Sequence, residues 1–170
     1  ISGSVTEPAD LKRTVDLAME NYGRIDAVVN STGHCPKGEI LELEDEDWHT
    51  GLDLALLNVI RMARLVTPVM IRQGGGSIVN ISTFAAFEPS PTYPVSSCIR
   101  AGLGSFAKLY ADRYAINNIS MAHEDLKQLS VYLSLLLIVL FRDFIFALTN
   151  PECTAVITCS CYIKLGNCNS

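Results

Sequence analysis

Residues 77–111 read SIVNISTFAAFEPSPTYPVSSCIRAGLGSFAKLYA, and the reading of this stretch decides the fold. It opens after a Gly74-Gly75-Gly76 turn with Ile78-Val79-Asn80-Ile81, a run of strand length and β-branched content. Ser82 and Thr83 place two hydroxyls where the strand gives way to a loop. Pro89, Pro91 and Pro94 punctuate that loop, and Pro94 suits the first turn of a helix, where its missing N–H costs nothing. Ile99, Leu103, Phe106, Tyr110 and Tyr114 then recur at helical period and mark an apolar stripe. Ligands of open α/β sheets bind at the carboxyl ends of strands. The hydroxyls of Ser82 and Thr83, with Tyr93 and Arg100 near the start of the next helix, therefore read as a candidate site. The alternative is a strand, loop and helix carrying ordinary surface polar groups.

Upstream, the same alternation of helix and strand continues. Gly3-Ser4-Val5 reads as the end of a strand, and Thr6-Glu7-Pro8 as a helix start with a capping hydroxyl, an acid and a first-turn proline. Leu11, Val15, Ala18, Met19 and Tyr22 give one apolar face, and Gly23 closes the helix. Ala27-Val28-Val29 reads as a short buried strand, closed by the turn residues Asn30-Ser31-Thr32-Gly33. A loop with His34, Cys35, Pro36 and Gly38 follows. A long helix is expected from about Asp45 to Arg72, with Leu52, Ala55, Leu56, Val59, Met62, Ala63, Val66 and Val69 inward and a kink at Pro68. Its acidic start, Glu42 to Asp47, complements the helix dipole. Asn117-Asn118 turns the chain, and Ile119-Ser120-Met121 begins another strand. The order α-β-α-β-α-β predicts a parallel sheet with crossover helices.

The 170 residues are one domain's worth of chain, nearly half hydrophobic, with a net charge of −5. A mildly acidic chain without a basic run argues against nucleic acid or an anionic membrane as the main partner. No signal-peptide pattern opens the sequence, so cytoplasmic, reduced thiols are the expectation. Four of the six cysteines, Cys153, Cys159, Cys161 and Cys168, crowd the last residues. Cys159-Ser160-Cys161 lacks the spacing of a zinc site, and no metal is expected.

After Met121 the character changes. Val131 to Phe141 is almost wholly apolar, interrupted only by Ser134 before the pair Arg142-Asp143. The segment reads as a buried helix or one covering the surface of a homo-oligomer. The other readings are a membrane anchor, for which it is short, and a tail without native structure. Residues 151–170 show no clear period. The chain is thus divided at 121, with an apolar helix and a Cys-rich tail over 122–170.

Residues 3–121 resemble the short-chain dehydrogenase/reductase family. Five features carry the resemblance, in order and at sensible spacings. Gly3-Ser4-Val5-Thr6 is similar to the family's Asp-Val segment near the adenine, with Ser4 in place of the acid. Gly23-Arg24-Ile25-Asp26, followed by Val28-Val29-Asn30-Ser31-Thr32-Gly33, resembles the strand ending in Asn-Asn-Ala-Gly. Trp48 is followed twenty residues later by Pro68 and then by Met70, as in the family's central helix. Gly75 to Ser82 is similar to the strand leading to the catalytic serine, and Lys108 to Ala111 to the helix after the catalytic tyrosine and lysine.

The resemblance implies an α/β fold, a partial Rossmann-type doubly wound parallel sheet truncated at the N-terminus, with a helical or irregular apolar C-terminal tail. It also implies an oxidoreductase moving hydride between NAD or NADP and a small-molecule carbonyl or alcohol. Ser4, Asn30, Thr32 and Gly33 would face the cofactor. For the catalytic tetrad two registers exist. In one, Tyr93 is the proton donor and Ser97 fills the lysine slot. In the other, which needs no gap, Thr83 fills the serine slot, Ser96 the tyrosine slot and Arg100 the lysine slot. Ser82, Thr83, Tyr93, Ser96 and Arg100 are thus the candidate catalytic residues. Ala55 occupies the asparagine slot, with Asn58 one helical turn later. A serine hydroxyl does not replace a phenol, and a guanidinium cannot shuttle protons. The phosphate-cradling glycine turn of the family has no counterpart here, so cofactor binding by this chain is doubtful. The alternative function is a non-catalytic relative acting as a structural or interaction module.

Overall fold

The computed structural model describes residues 2–125, 154–159 and 162–167. Helix α1 spans Pro8–Tyr22, strand β1 Ala27–Ser31, helix α2 Asp45–Leu52 and helix α3 Asn58–Gln73. Strand β2 covers Gly76–Ser82, helix α4 Pro94–Tyr114 and strand β3 Ile119–Asp125, and β4 (Thr154–Cys159) and β5 (Tyr162–Asn167) complete the described elements. The strands form one sheet in the order β3-β2-β1-β4-β5. The first four run parallel, and β5 returns antiparallel to β4. Val28 lies opposite Ile78 and Ile78 opposite Met121, on neighbouring strands of the same direction.

One face of this sheet holds the core. Val28, Ile78 and Met121 share it because paired residues in a ladder point the same way. Leu11, Val15 and Ala18 of α1, Met62, Val66 and Met70 of α3, and Ala107 and Tyr110 of α4 close over them. The apolar positions read at helical spacing are the ones that meet here. Gly23 (φ 71°) and Gly74 (φ 90°) end α1 and α3 in the left-handed conformation, which glycine adopts without a Cβ penalty.

The long central helix is continuous from Asp45 to Gln73 and contains a π-helical turn at Asp53–Leu57. Pro68 lies inside α3. The acidic start is used as expected: Glu44 and Asp47 form a reciprocal capping box. Among the described residues this helix is the one long and apolar enough to cross a membrane by length and composition. Val59, Met62, Ala63, Val66 and Met70 account for that apolarity by facing the core.

Three expectations need correction. Gly3-Ser4-Val5 is not a strand end: the Ser4 N–H goes to Asp10 Oδ2 (2.8 Å) and its carbonyl accepts from Glu7 N–H. Its backbone groups are therefore taken up by a turn instead of a ladder. Thr6 does not cap α1. The N-cap is Glu7, and the Thr6 hydroxyl bonds Ser4 Oγ at 2.7 Å. The tail that showed no clear period contains β4 and β5, and β4 pairs with β1 while β3 runs past 121 to Asp125. The apolar helix expected over Val131–Phe141 lies outside the described residues.

Candidate active site

The carboxyl ends of β1 and β2 are joined by one side chain from α4. Arg100 is only 3 % exposed, and its guanidinium reaches both strand ends. Nε–H donates to Ser96 Oγ (3.2 Å) and Nη1–H to the Ile81 carbonyl (3.3 Å). Nη2 donates to Thr32 Oγ1 (3.4 Å) and to the Gly33 carbonyl (3.2 Å). Ser96 and Arg100 meet because they lie one turn apart on α4. They reach the sheet because α4 starts above the strand ends and runs back over them. The Cys35 thiol, buried on the loop after β1, also bonds Ser96 and sits in the field of Arg100. Burial raises the Cys35 pKa, against the opposing effects of Arg100 and Ser96. Burial likewise lowers that of Arg100, with Cys35 acting the other way. Among residues 2–123, whose side chains are described, no carboxylate pairs with this buried cation.

Beside Arg100 lie polar groups without partners. Ser82 Oγ, Thr83 Oγ1 and both ring nitrogens of His123 are buried and make no hydrogen bond among the described residues. His123 stands on β3 opposite Asn80, on the same face as Ser82. Its pKa is lowered, first by burial and then by Arg100. Phe87 covers its ring at 5.6 Å between centroids.

The proposed site residues divide into three groups. Thr32, Gly33, Ser96 and Arg100 are joined directly, and Ser82 and Thr83 follow the Ile81 carbonyl that Arg100 holds. Tyr93 is the N-cap of α4, packed edge-on against Phe84 and lying under the Lys37 ammonium, 4.9 Å from its ring centroid. Asn30 and Ser4 have other duties. Asn30 Nδ2–H donates to Asn80 Oδ1 at 2.8 Å, and Asn80 Nδ2–H goes on to the Ala122 carbonyl, tying three strands together. Ser4 is held by Thr6 and Asp10. Ser97 accepts the Ser90 N–H and fixes the loop ahead of α4. Ala55 sits inside the π-helical turn, packed with Cys35 and Val95. Such turns recur at functional sites. Asn58 is buried with its Oδ1 on the Val59 N–H.

Cys35, Asn80 and His123 were not among the expected residues. A signal existed for two of them. Asparagine is depleted within strands, so Asn80 in an apolar run required a buried partner. His123 follows Met121 by two residues and so had to share the inward face.

The described residues do not fit the charged half of a dinucleotide. Among the described residues, the strand on the open side of β1 is β4, which is followed by its hairpin partner and not by a glycine-rich turn and a helix N-terminus. The Thr32 hydroxyl and Gly33 carbonyl are engaged by Arg100. What these strand ends can do chemically is to hold and polarise an oxygen-bearing group.

Residues 1–121 match the family model described as enoyl-(acyl carrier protein) reductase. The 3-oxoacyl-[acyl-carrier-protein] reductase FabG of Thermotoga maritima is 31% identical over 116 residues, 68% of this chain and 47% of that protein. Human dehydrogenase/reductase SDR family member 4 is 33% identical over 68% of this chain and 42% of its own length. The L-sorbose reductase of Gluconobacter frateurii, whose structure is complexed with NADPH and L-sorbose, superposes with a TM-score of 0.65 at 28% identity, covering 68% of this chain and 44% of that one. The chain spans about half the length of the curated relatives it matches. With its parallel sheet, its helices and a family match over residues 1–121, the chain belongs to the short-chain dehydrogenase/reductase family.

Proposed function

We propose that the strand-end cluster is the carbonyl side of an oxidoreductase site, in a protein whose reaction class is hydride exchange between NAD(P) and a small carbonyl or alcohol. One observation carries the reading: Arg100, in the family's lysine slot by the ungapped register, bridges the ends of β1 and β2 and bonds Ser96, in the tyrosine slot. Family membership supplies the reaction class, and the orphaned Ser82 and Thr83 hydroxyls supply donors for a substrate oxygen.

The site is divergent in its proton chemistry. Ser96 has no phenol to give up a proton near neutral pH, and Arg100 stays charged and cannot relay one. Ala55 has no side-chain group to hold a water in the asparagine slot. Tyr93 is engaged with Phe84 and Lys37 at the start of α4. These residues hold and polarise a carbonyl; they do not protonate it efficiently. The same substitutions favour the second reading, a non-catalytic relative that keeps the scaffold.

Titration of the purified chain with NADH and NADPH, followed by nicotinamide fluorescence, separates the two. The expected outcome is binding no tighter than millimolar and no turnover, with no gain in the Ser96→Tyr, Arg100→Lys double variant. Tight binding together with turnover in the unaltered chain would overturn the impaired reading. Revival by the double variant would refute the absence of a cofactor seat.

A further inference from the structure

Among residues 2–123, whose side chains are described, the Arg100 cluster lacks an anion. A guanidinium carries five N–H donors. Four are directed at Ser96, Ile81, Thr32 and Gly33, and every one of these acceptors is neutral. One Nη1–H is left over. Arg100 is 3 % exposed, so its charge is removed from water without a counterion among residues 2–123. A buried uncompensated charge is among the most destabilising features a fold can carry.

The groups around it are all able to donate. Ser82, itself 3 % exposed, follows the residue whose carbonyl Arg100 holds, and its hydroxyl is unpartnered. Thr83 adds a second unpartnered hydroxyl, and His123, on the same sheet face, adds a ring N–H. Water could satisfy the hydroxyls but would leave the charge uncompensated. A dianionic phosphate would exceed the single positive charge present. One cation ringed by three unpartnered donors matches a monoanion with two acceptor oxygens.

We infer that the strand-end cluster of Arg100, Ser82, Thr83 and His123 binds the carboxylate of a small oxo acid. The inference rests on reading these strand ends as the carbonyl side of the site, and it narrows the substrate class to acids. Its test uses no cofactor, so its failure leaves the reductase reading standing, and failure of cofactor binding leaves this inference standing.

The experiment is a titration of the ¹⁵N-labelled full chain with pyruvate, and with hydroxyacetone as the neutral counterpart, read from amide chemical shifts. Pyruvate is expected to shift the amides of Thr32, Gly33, Ile81 to Thr83 and Ser96 to Arg100, with hydroxyacetone binding at least roughly ten-fold more weakly. Ser82→Ala is expected to weaken pyruvate by roughly ten-fold, the worth of one charge-assisted hydrogen bond, while its spectrum reports a retained fold. Thr83→Val gives a second, independent loss. Equal binding of the two ligands, or undiminished affinity in Ser82→Ala, would overturn the inference. So would a silent wild type.

Discussion

Helix α4 crosses the same three strands at two places, and the two crossings are built from opposite chemistry. Over the amino-terminal half of the strands, Ala107 and Tyr110 lie on Val28, Ile78 and Met121, all nearly without exposure. Over the carboxyl ends, Ser96 and Arg100 lie on Thr32, Gly33 and Ile81, beside Ser82 and His123. Apolar area removed from water stabilises by roughly 25 cal/mol per Å². A buried polar group without a partner costs about 1–3 kcal/mol. The fold is therefore held by one end of the α4 interface and loaded with unsatisfied polar groups at the other. That asymmetry is what the proposed site requires, because function is a usual reason for a stability cost to persist.

The comparison can be broken most severely at its apolar end. Ile78→Ala deletes a side chain 1 % exposed at the centre of the core and is expected to cost about 3 kcal/mol in urea unfolding. A loss under about 1 kcal/mol would mean that the core is not where the sheet places it. Gly51→Ala comes next. A Cβ there would meet Val95 Cγ1 at 2.2 Å, the end of a stiff β-branched side chain at the start of α4. Overpacking of about 1–3 kcal/mol is expected by the same measurement, and an unchanged stability would refute the tight approach of α2 to α4.

The smallest effect belongs to the polar end. His123 has a folded pKa below its ordinary value of 6.5, through burial and Arg100. The unfolded chain binds the proton more readily, so this contribution is fully present above that ordinary value and is lost as pH falls through it. Unfolding at about pH 7.5 and about pH 5.5 is expected to show lower stability at the acid end, with a flatter slope in His123→Gln. An unchanged slope in that variant would assign the pH dependence elsewhere.

Much of this architecture was legible in the residues. The helical stripes of α1, α3 and α4 and the strand runs at Val28 and Ile78 record burial, and burial follows period. The long-range pairings were less legible. β4 has the β-branched content of a strand in Thr154, Val156, Ile157 and Thr158, but its partner lies more than a hundred residues upstream, and no local pattern encodes that. In the site, Arg100 was found from its place near the start of the helix after β2, and Thr32 and Ser96 because the family register aligns them. Their joining through one guanidinium depends on the long reach of Arg100. Cys35 stayed hidden because it sits on a loop, where no period constrains which way a thiol points. Tyr93 attracted attention as the nearest phenol, yet its place as the N-cap of α4 puts it against Phe84 and Lys37.

The direct test of the two-ended interface is the unfolding free energy of Ser82→Ala. Removing a buried, unpartnered hydroxyl is expected to raise stability by about 1 kcal/mol, opposite in sign to Ile78→Ala at the other end of the same interface. A loss of about 2 kcal/mol or more would show that Ser82 is satisfied inside the fold and would contradict the account.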